Sequence, residues 1–146
     1  MEDKGVVAYC GLCCLDCHGY TGKIADLARD LRKELKKAKY DTFAASISRY
    51  PFAAAFRQYP ACYDLLGQMM KFRCKKACRN GGGPPFCKIR KCCISKGIEG
   101  CWECSHPSTC DKLDFLNDAH GDAHRRNIIN LKKKGISGFL LGKRSW

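Results

Sequence analysis

RCKKACRNGGGPPFCKIRKCCISKGIEGCWECSHPSTC, residues 73–110, carries eight of the chain's 13 cysteines in 38 residues and shows no helical periodicity. A segment without an apolar stripe builds no ordinary core, so its cohesion is expected to come from bound metal. Cys101-Trp-Glu-Cys104 is a C-x2-C knuckle, the spacing at which a tight turn brings two sulfurs onto one tetrahedral ion. Cys74-x3-Cys78 is a looser version, and Cys87-x4-Cys92 and Cys104-x5-Cys110 add sulfurs at distances that short loops can close. Repeated thiol pairs of this kind select zinc, with an iron–sulfur cluster as the alternative thiolate cofactor.

The remaining chain bears on whether the thiols are free. Met1-Glu2-Asp3-Lys4-Gly5 has neither the basic nor the apolar region of a secretory leader, and no stretch approaches the roughly 20 apolar residues that span a bilayer. The expectation is a cytoplasmic protein with no membrane partner, in a reducing compartment where disulfides rarely persist. An odd cysteine count fits metal coordination better than a fully paired disulfide framework.

Outside the cysteine-rich parts the pattern is helical. From Lys23, Ile24, Leu27, Ala28, Leu31, Leu35 and Ala38 recur at three- and four-residue steps against Arg29, Arg32, Lys33, Lys36 and Lys37, which predicts an amphipathic helix over about 23–39. Two more helices are expected between Thr42 and Phe72, bounded near Pro51 and Pro60. Phe43, Ile47, Phe52, Phe56, Tyr59, Tyr63, Leu65, Leu66, Met69, Met70 and Phe72 would supply their core. A short helix over 111–119 and a last helix over 122–134 precede a tail that reads as a strand or a loose end. The fold class is therefore mainly α with an irregular zinc-binding segment, a small α+β arrangement being the alternative. At 146 residues the chain reads as one domain, divided into a cysteine segment (1–21), a helical core (22–72), a zinc-binding segment (73–116) and a C-terminal helix with a basic tail (117–146).

Tyr9-Cys10-Gly11-Leu12-x-Cys14-x-x-Cys17, Cys87-Lys-Ile-Arg-Lys-Cys92, Lys96-Gly97, Cys101-x-x-Cys104 and Cys110-Asp-Lys-Leu, in this order, resemble the cysteine-rich DUF3795 proteins. These are small prokaryotic zinc-binding proteins without an assigned function. The resemblance implies Cys10, Cys14, Cys17, Cys74, Cys78, Cys87, Cys92, Cys101, Cys104 and Cys110 as metal ligands, enough for about two zinc ions at four thiolates per closed site. Cys13, Cys62 and Cys93 fall outside the matching set. This chain departs from the family in the wider spacing of Cys74 and Cys78, and in Pro84, where a further cysteine is common. One grouping is expected to join Cys74, Cys78, Cys87 and Cys92, and another to join Cys101, Cys104 and Cys110 to Cys14 or Cys17.

Other constellations are weaker. Cys10-x3-Cys14-x2-Cys17 has the spacing of a radical S-adenosylmethionine cluster site, but those enzymes use barrel-like scaffolds of more than roughly 200 residues. Cys101-x2-Cys104-x15-His120-x3-His124 borders on a zinc-finger template, which Gly121 and Cys110 interrupt. His18 and His106 stand beside cysteines and could each complete a Cys3His site. Gly81-Gly82-Gly83 lacks the Lys-Ser/Thr of a phosphate loop and reads as a flexible connector.

With 27 Lys and Arg against 14 acids the formal charge is +13. Each Zn(Cys)4 centre brings about −2, so two would leave about +9. Between Asp64 and Glu99 there are nine basic residues and no acid. Lys75, Lys76, Arg79, Lys88, Arg90 and Lys91 could face nucleic acid or a protein partner, or serve the thiolates by favouring their ionised form. No residue reads as catalytic. The function expected is a binding module with structural zinc, against an alternative enzyme or redox protein using open zinc, reactive thiols or an iron–sulfur cluster.

Overall fold

The computed structural model describes residues 4–146, and the reading of Met1 to Asp3 lies outside the described residues. The chain is mainly α, and its one β feature among the described residues is an isolated antiparallel bridge between Val7 and Cys13. No helix among them is long and apolar enough to cross a membrane. The chain divides into two compact units, 22–73 and a second formed by 1–21 with 74–146.

Helix α1 (His18–Thr21) belongs to the other unit, and unit 22–73 contains α2 (Lys23–Lys37), α3 (Tyr40–Ile47), a 3-10 segment (Pro51–Gln58) and α4 (Tyr59–Lys71). Pro51 and Pro60 each sit in a first turn, where a missing N–H costs no helical bond. Contact between α2 and α4 is made over small residues. Ala25 and Ala28 are buried, and Gly67 leaves room for the Arg32 guanidinium, which lies 4.2 Å from the centre of the Tyr63 ring.

This corrects the expected core. None of the eleven bulky residues assigned to it is buried, and Phe52 and Phe72 are mostly exposed. Tyr40, Phe43, Phe56 and Tyr59 instead form a half-exposed aromatic cluster with ring centres 5.1–6.2 Å apart. Ile24, Leu27 and Leu31 of the predicted apolar stripe are also exposed, because α4 approaches over the alanines beside them.

In the other unit a 3-10 turn (Lys4–Val6) leads into a tight loop, in which Ala8 N–H donates to Leu12 O at 2.8 Å. A 3-10 turn (Cys14–Asp16) and α1 (His18–Thr21) follow, and Cys74 N–H then donates to Gly19 O at 2.8 Å. Beyond it lie a 3-10 turn at Cys78–Asn80, α5 (Lys88–Lys96), turns at Cys101–Glu103 and Asp111–Leu116, α6 (Asn117–His120) and α7 (Ala123–Leu141). Gly135 breaks α7 at the predicted end of the last helix. The chain then resumes as a helical turn that buries Phe139, so the tail is neither strand nor loose end.

Two further expectations change here. Helix α5 occupies a stretch read as aperiodic: Ile89 and Cys93 form its buried face, and a cysteine counted as a ligand is not counted as a hydrophobe. The cysteine-rich segment also shares an apolar core with the rest of its unit, in which Ile89, Trp102 and Leu113 pack with Val7, Ile128, Leu131 and Phe139. The triple glycine is a closely packed turn rather than a flexible connector. A Cβ on Gly82 would stand 1.9 Å from Lys76 O, and Arg90 donates to Gly82 O at 2.7 Å.

Candidate metal centre

All thirteen cysteines are free thiols, and twelve lie in the unit formed by 1–21 and 74–146. Cys13, Cys14, Cys93 and Cys101 are buried in its core, with Cys10, Cys78, Cys87 and Cys110 packed against them. Cys62 is exposed on α4.

The sulfurs meet in two pairs. The first joins Cys14, at the head of the knuckle Cys14-Leu-Asp-Cys17, to Cys78. Cys17 N–H closes that knuckle onto Cys14 O at 3.0 Å, and Cys78 N–H donates to Cys14 Sγ at 3.5 Å. Hydrogen bonding from Cys78 lowers the Cys14 thiol to about 6, while the same contact, reinforced by burial and by the charges of Cys14, Cys10 and Cys17, pushes Cys78 up. One sulfur of the pair ionises first and the other holds its proton. Burial raises Cys10 to about 12, with smaller contributions from the nearby Cys87 and Cys14.

In the second pair Cys93 Sγ stands 3.9 Å from Cys101 Sγ. The Cys101 hydrogen bond lowers Cys93, helped by the charges of Arg79 and Lys96, and the reciprocal contact raises Cys101. A 3-10 turn forms the predicted Cys101–Cys104 knuckle, with Cys104 N–H on Cys101 O at 3.2 Å. Cys104 Sγ lies 4.0 Å from Lys96 Nζ. Cys92, Cys104 and Cys110 line the same cavity as Cys93 and Cys101.

This arrangement differs from the expected grouping. Cys78 meets the opening segment rather than Cys92, and Cys101 meets Cys93, a residue outside the family's matching set. The missed signal was local: Cys93 follows Ile89 by four residues, the spacing of one helix face. Cys13, the other buried cysteine outside that set, is raised by burial and bridges to Val7.

Among the described residues no three His, Cys, Asp or Glu side chains stand as a group that could hold a metal ion. The donor chemistry nevertheless suits zinc. Sulfur is a soft donor, and the 3.9 Å separation of Cys93 and Cys101 is close to the roughly 3.8 Å edge of a tetrahedron with Zn–S bonds of about 2.3 Å. The zinc-finger reading through His120 and His124 finds no support, since α6 ends at His120 and Gly121, at φ 55°, separates it from α7. His120 packs edge-on against Trp146, and His124 is fully buried, with no hydrogen-bond partner for either ring nitrogen among the described residues.

Several basic residues are engaged within the fold. Arg79 donates to Val7 O and Glu99 O and lies 4.5 Å from the centre of the Tyr9 ring. Arg90 donates to Cys78 O, Gly82 O and Pro84 O. Lys75, Lys76, Lys88 and Lys91 remain exposed.

No curated protein and no solved structure matches the chain. A family model described as a protein of unknown function, DUF3795, matches residues 6–115, three quarters of the sequence, and the chain belongs to that family.

Proposed function

We propose that this protein binds zinc through cysteine thiolates, that the metal stiffens the unit formed by 1–21 and 74–146, and that the unit serves as a cytosolic binding module. The observation that carries the reading is the paired packing of reduced sulfurs from distant stretches, Cys14 with Cys78 and Cys93 with Cys101, in one core. As thiolates these sulfurs would be costly to bury without a cation to compensate them. Binding would draw further sulfurs onto each pair, coupling metal affinity to folding.

For the partner we favour nucleic acid, contacted by Lys75, Lys76, Lys88 and Lys91. The inward-turned Arg79 and Arg90 belong to the scaffold in this reading.

Elemental analysis of protein purified under reducing conditions should find about two zinc per chain, and chelation should lower its melting temperature. Absence of metal would remove the reading. Iron with visible absorption would replace zinc by a cluster. Titration with mixed RNA at two salt concentrations tests the module. Affinity should fall steeply with salt, and Lys75→Ala with Lys76→Ala should weaken it at unchanged stability. Arg79→Ala should lower the melting temperature instead. No RNA binding at low salt would leave a protein partner.

A further inference from the structure

A cavity of about 240 Å3 opens between α5 and the segment running from Cys101 to Lys112. Its lining includes Cys92, Cys93, Cys101, Cys104, Cys110 and His106. Five thiols and one imidazole thus face one small cavity, more than the buried face of α5, Ile89 with Cys93, contributes by packing. Cys93 and Cys101 are buried and already at the S···S distance of a zinc tetrahedron's edge. Half-buried Cys104 and Cys110 line the same cavity from the segment that follows Cys101. The surroundings favour anionic sulfur: Lys96 Nζ is 4.0 Å from Cys104 Sγ, and Lys96 is itself part of the lining.

Helix α5 decides which of two adjacent cysteines is used. Consecutive positions on a helix point about 100° apart, so Cys93 faces inward with Ile89 while Cys92 is only half-buried. The segment's free carbonyls are tied down separately. Arg125 donates to Pro107 O at 3.1 Å, to Ser108 O at 2.8 Å and to Cys110 O at 3.2 Å, which fixes the backbone of the stretch that ends at Cys110.

We propose that this cavity is a four-thiolate site for a divalent d10 ion, anchored by Cys93 and Cys101 and closed by Cys104 and Cys110. Cys93 thereby becomes a ligand that the family pattern does not assign. The proposal rests on the zinc reading above and specifies one of its sites. As described, only the anchoring pair is in contact, so the facing thiols turn onto the ion as it binds, each losing its proton to solvent.

The test is cadmium titration of reduced apoprotein, followed by thiolate charge-transfer absorption, on wild type, Cys93→Ser and Cys62→Ser. Cys93→Ser should lose one equivalent of bound cadmium or at least tenfold in affinity for it, while Cys62→Ser titrates like wild type. Should Cys93→Ser fail to fold, cadmium–proton correlation spectra of wild type settle the point, since the Cys93 β-protons must couple to the same cadmium as those of Cys101. Unchanged stoichiometry and affinity in Cys93→Ser, or no such coupling, would overturn the proposal and leave the zinc reading standing. Failure of wild type to bind any cadmium or zinc would remove both. Formation of a Cys93–Cys101 disulfide with hydrogen peroxide at no loss of bound metal would overturn the site in favour of a redox dithiol.

Discussion

Arg144 grips Asp16 with two nitrogens across 128 positions of sequence, Nε at 2.7 Å from Oδ2 and Nη2 at 3.0 Å from Oδ1. Asp16 lies inside the knuckle between Cys14 and Cys17, so the pair ties the C-terminal tail to the opening cysteine segment. Hydrogen bonding to Asp16 raises the Arg144 pKa, as expected for a guanidinium held against a carboxylate. Lysine cannot reproduce the two-pronged contact. Arg144→Lys should therefore cost roughly 1–2 kcal/mol in urea unfolding, the partial exposure of both side chains keeping it below the value for a fully buried pair.

Asn127 secures the same tail by a second route. It is fully buried; its Nδ2 donates to Ser145 O at 2.8 Å, and Ser145 N–H donates to Oδ1 at 2.9 Å, as a strand neighbour would. Asn127→Ala removes both bonds and should destabilise by roughly 1–3 kcal/mol. Trp146, edge-on to His120 at 4.8 Å, provides the readout. Its fluorescence should shift toward that of a solvated indole in the variant, whereas an unchanged spectrum would mean that Asn127 does not hold the tail.

His124 makes stability sensitive to mild acid. Burial, then the neighbouring Arg125 charge, lowers its pKa below the ordinary 6.5. Above that value both folded and unfolded chains hold it neutral. As the pH falls below it the unfolded chain takes up a proton that the folded one resists, so stability declines until the folded pKa is passed. Denaturation midpoints measured from pH 7.5 down to pH 5 should fall more steeply in wild type than in His124→Leu. Parallel curves would show that His124 carries no such linkage.

Gly11 is required by both its backbone and its surroundings. Its φ of 85° disfavours any side chain, and a Cβ would stand 3.0 Å from Ile128 Cγ1 and 3.2 Å from His124 O. Gly11→Ala should cost roughly 1–3 kcal/mol in chemical denaturation. A near-neutral result would mean that the loop can withdraw from α7 without loss.

Much of the secondary structure was legible because its signals are local. The periodicity from Lys23, the prolines at 51 and 60 and the apolar residues after Asp122 placed helices to within a few residues. Where large side chains would lie was less legible. Periodicity identifies a face, but burial depends on what covers it, and over α2 that is a helix seated on Ala25 and Ala28. Helix α5 was missed because its inward face is Ile89 and a cysteine, a residue whose two roles, hydrophobe and ligand, leave the same trace in sequence.

By itself the sequence determined the mainly helical class, the family, and a supply of thiols suited to soft metal ions, since composition, spacing and short-range propensity suffice for each. Only the tertiary structure decided that Cys14 meets Cys78, that Cys93 meets Cys101, and that Arg79 and Arg90 turn inward. Those contacts join residues from separate turns and helices, and sequence spacing sets how far two sulfurs can reach without fixing which of several reachable sulfurs the folded backbone brings together.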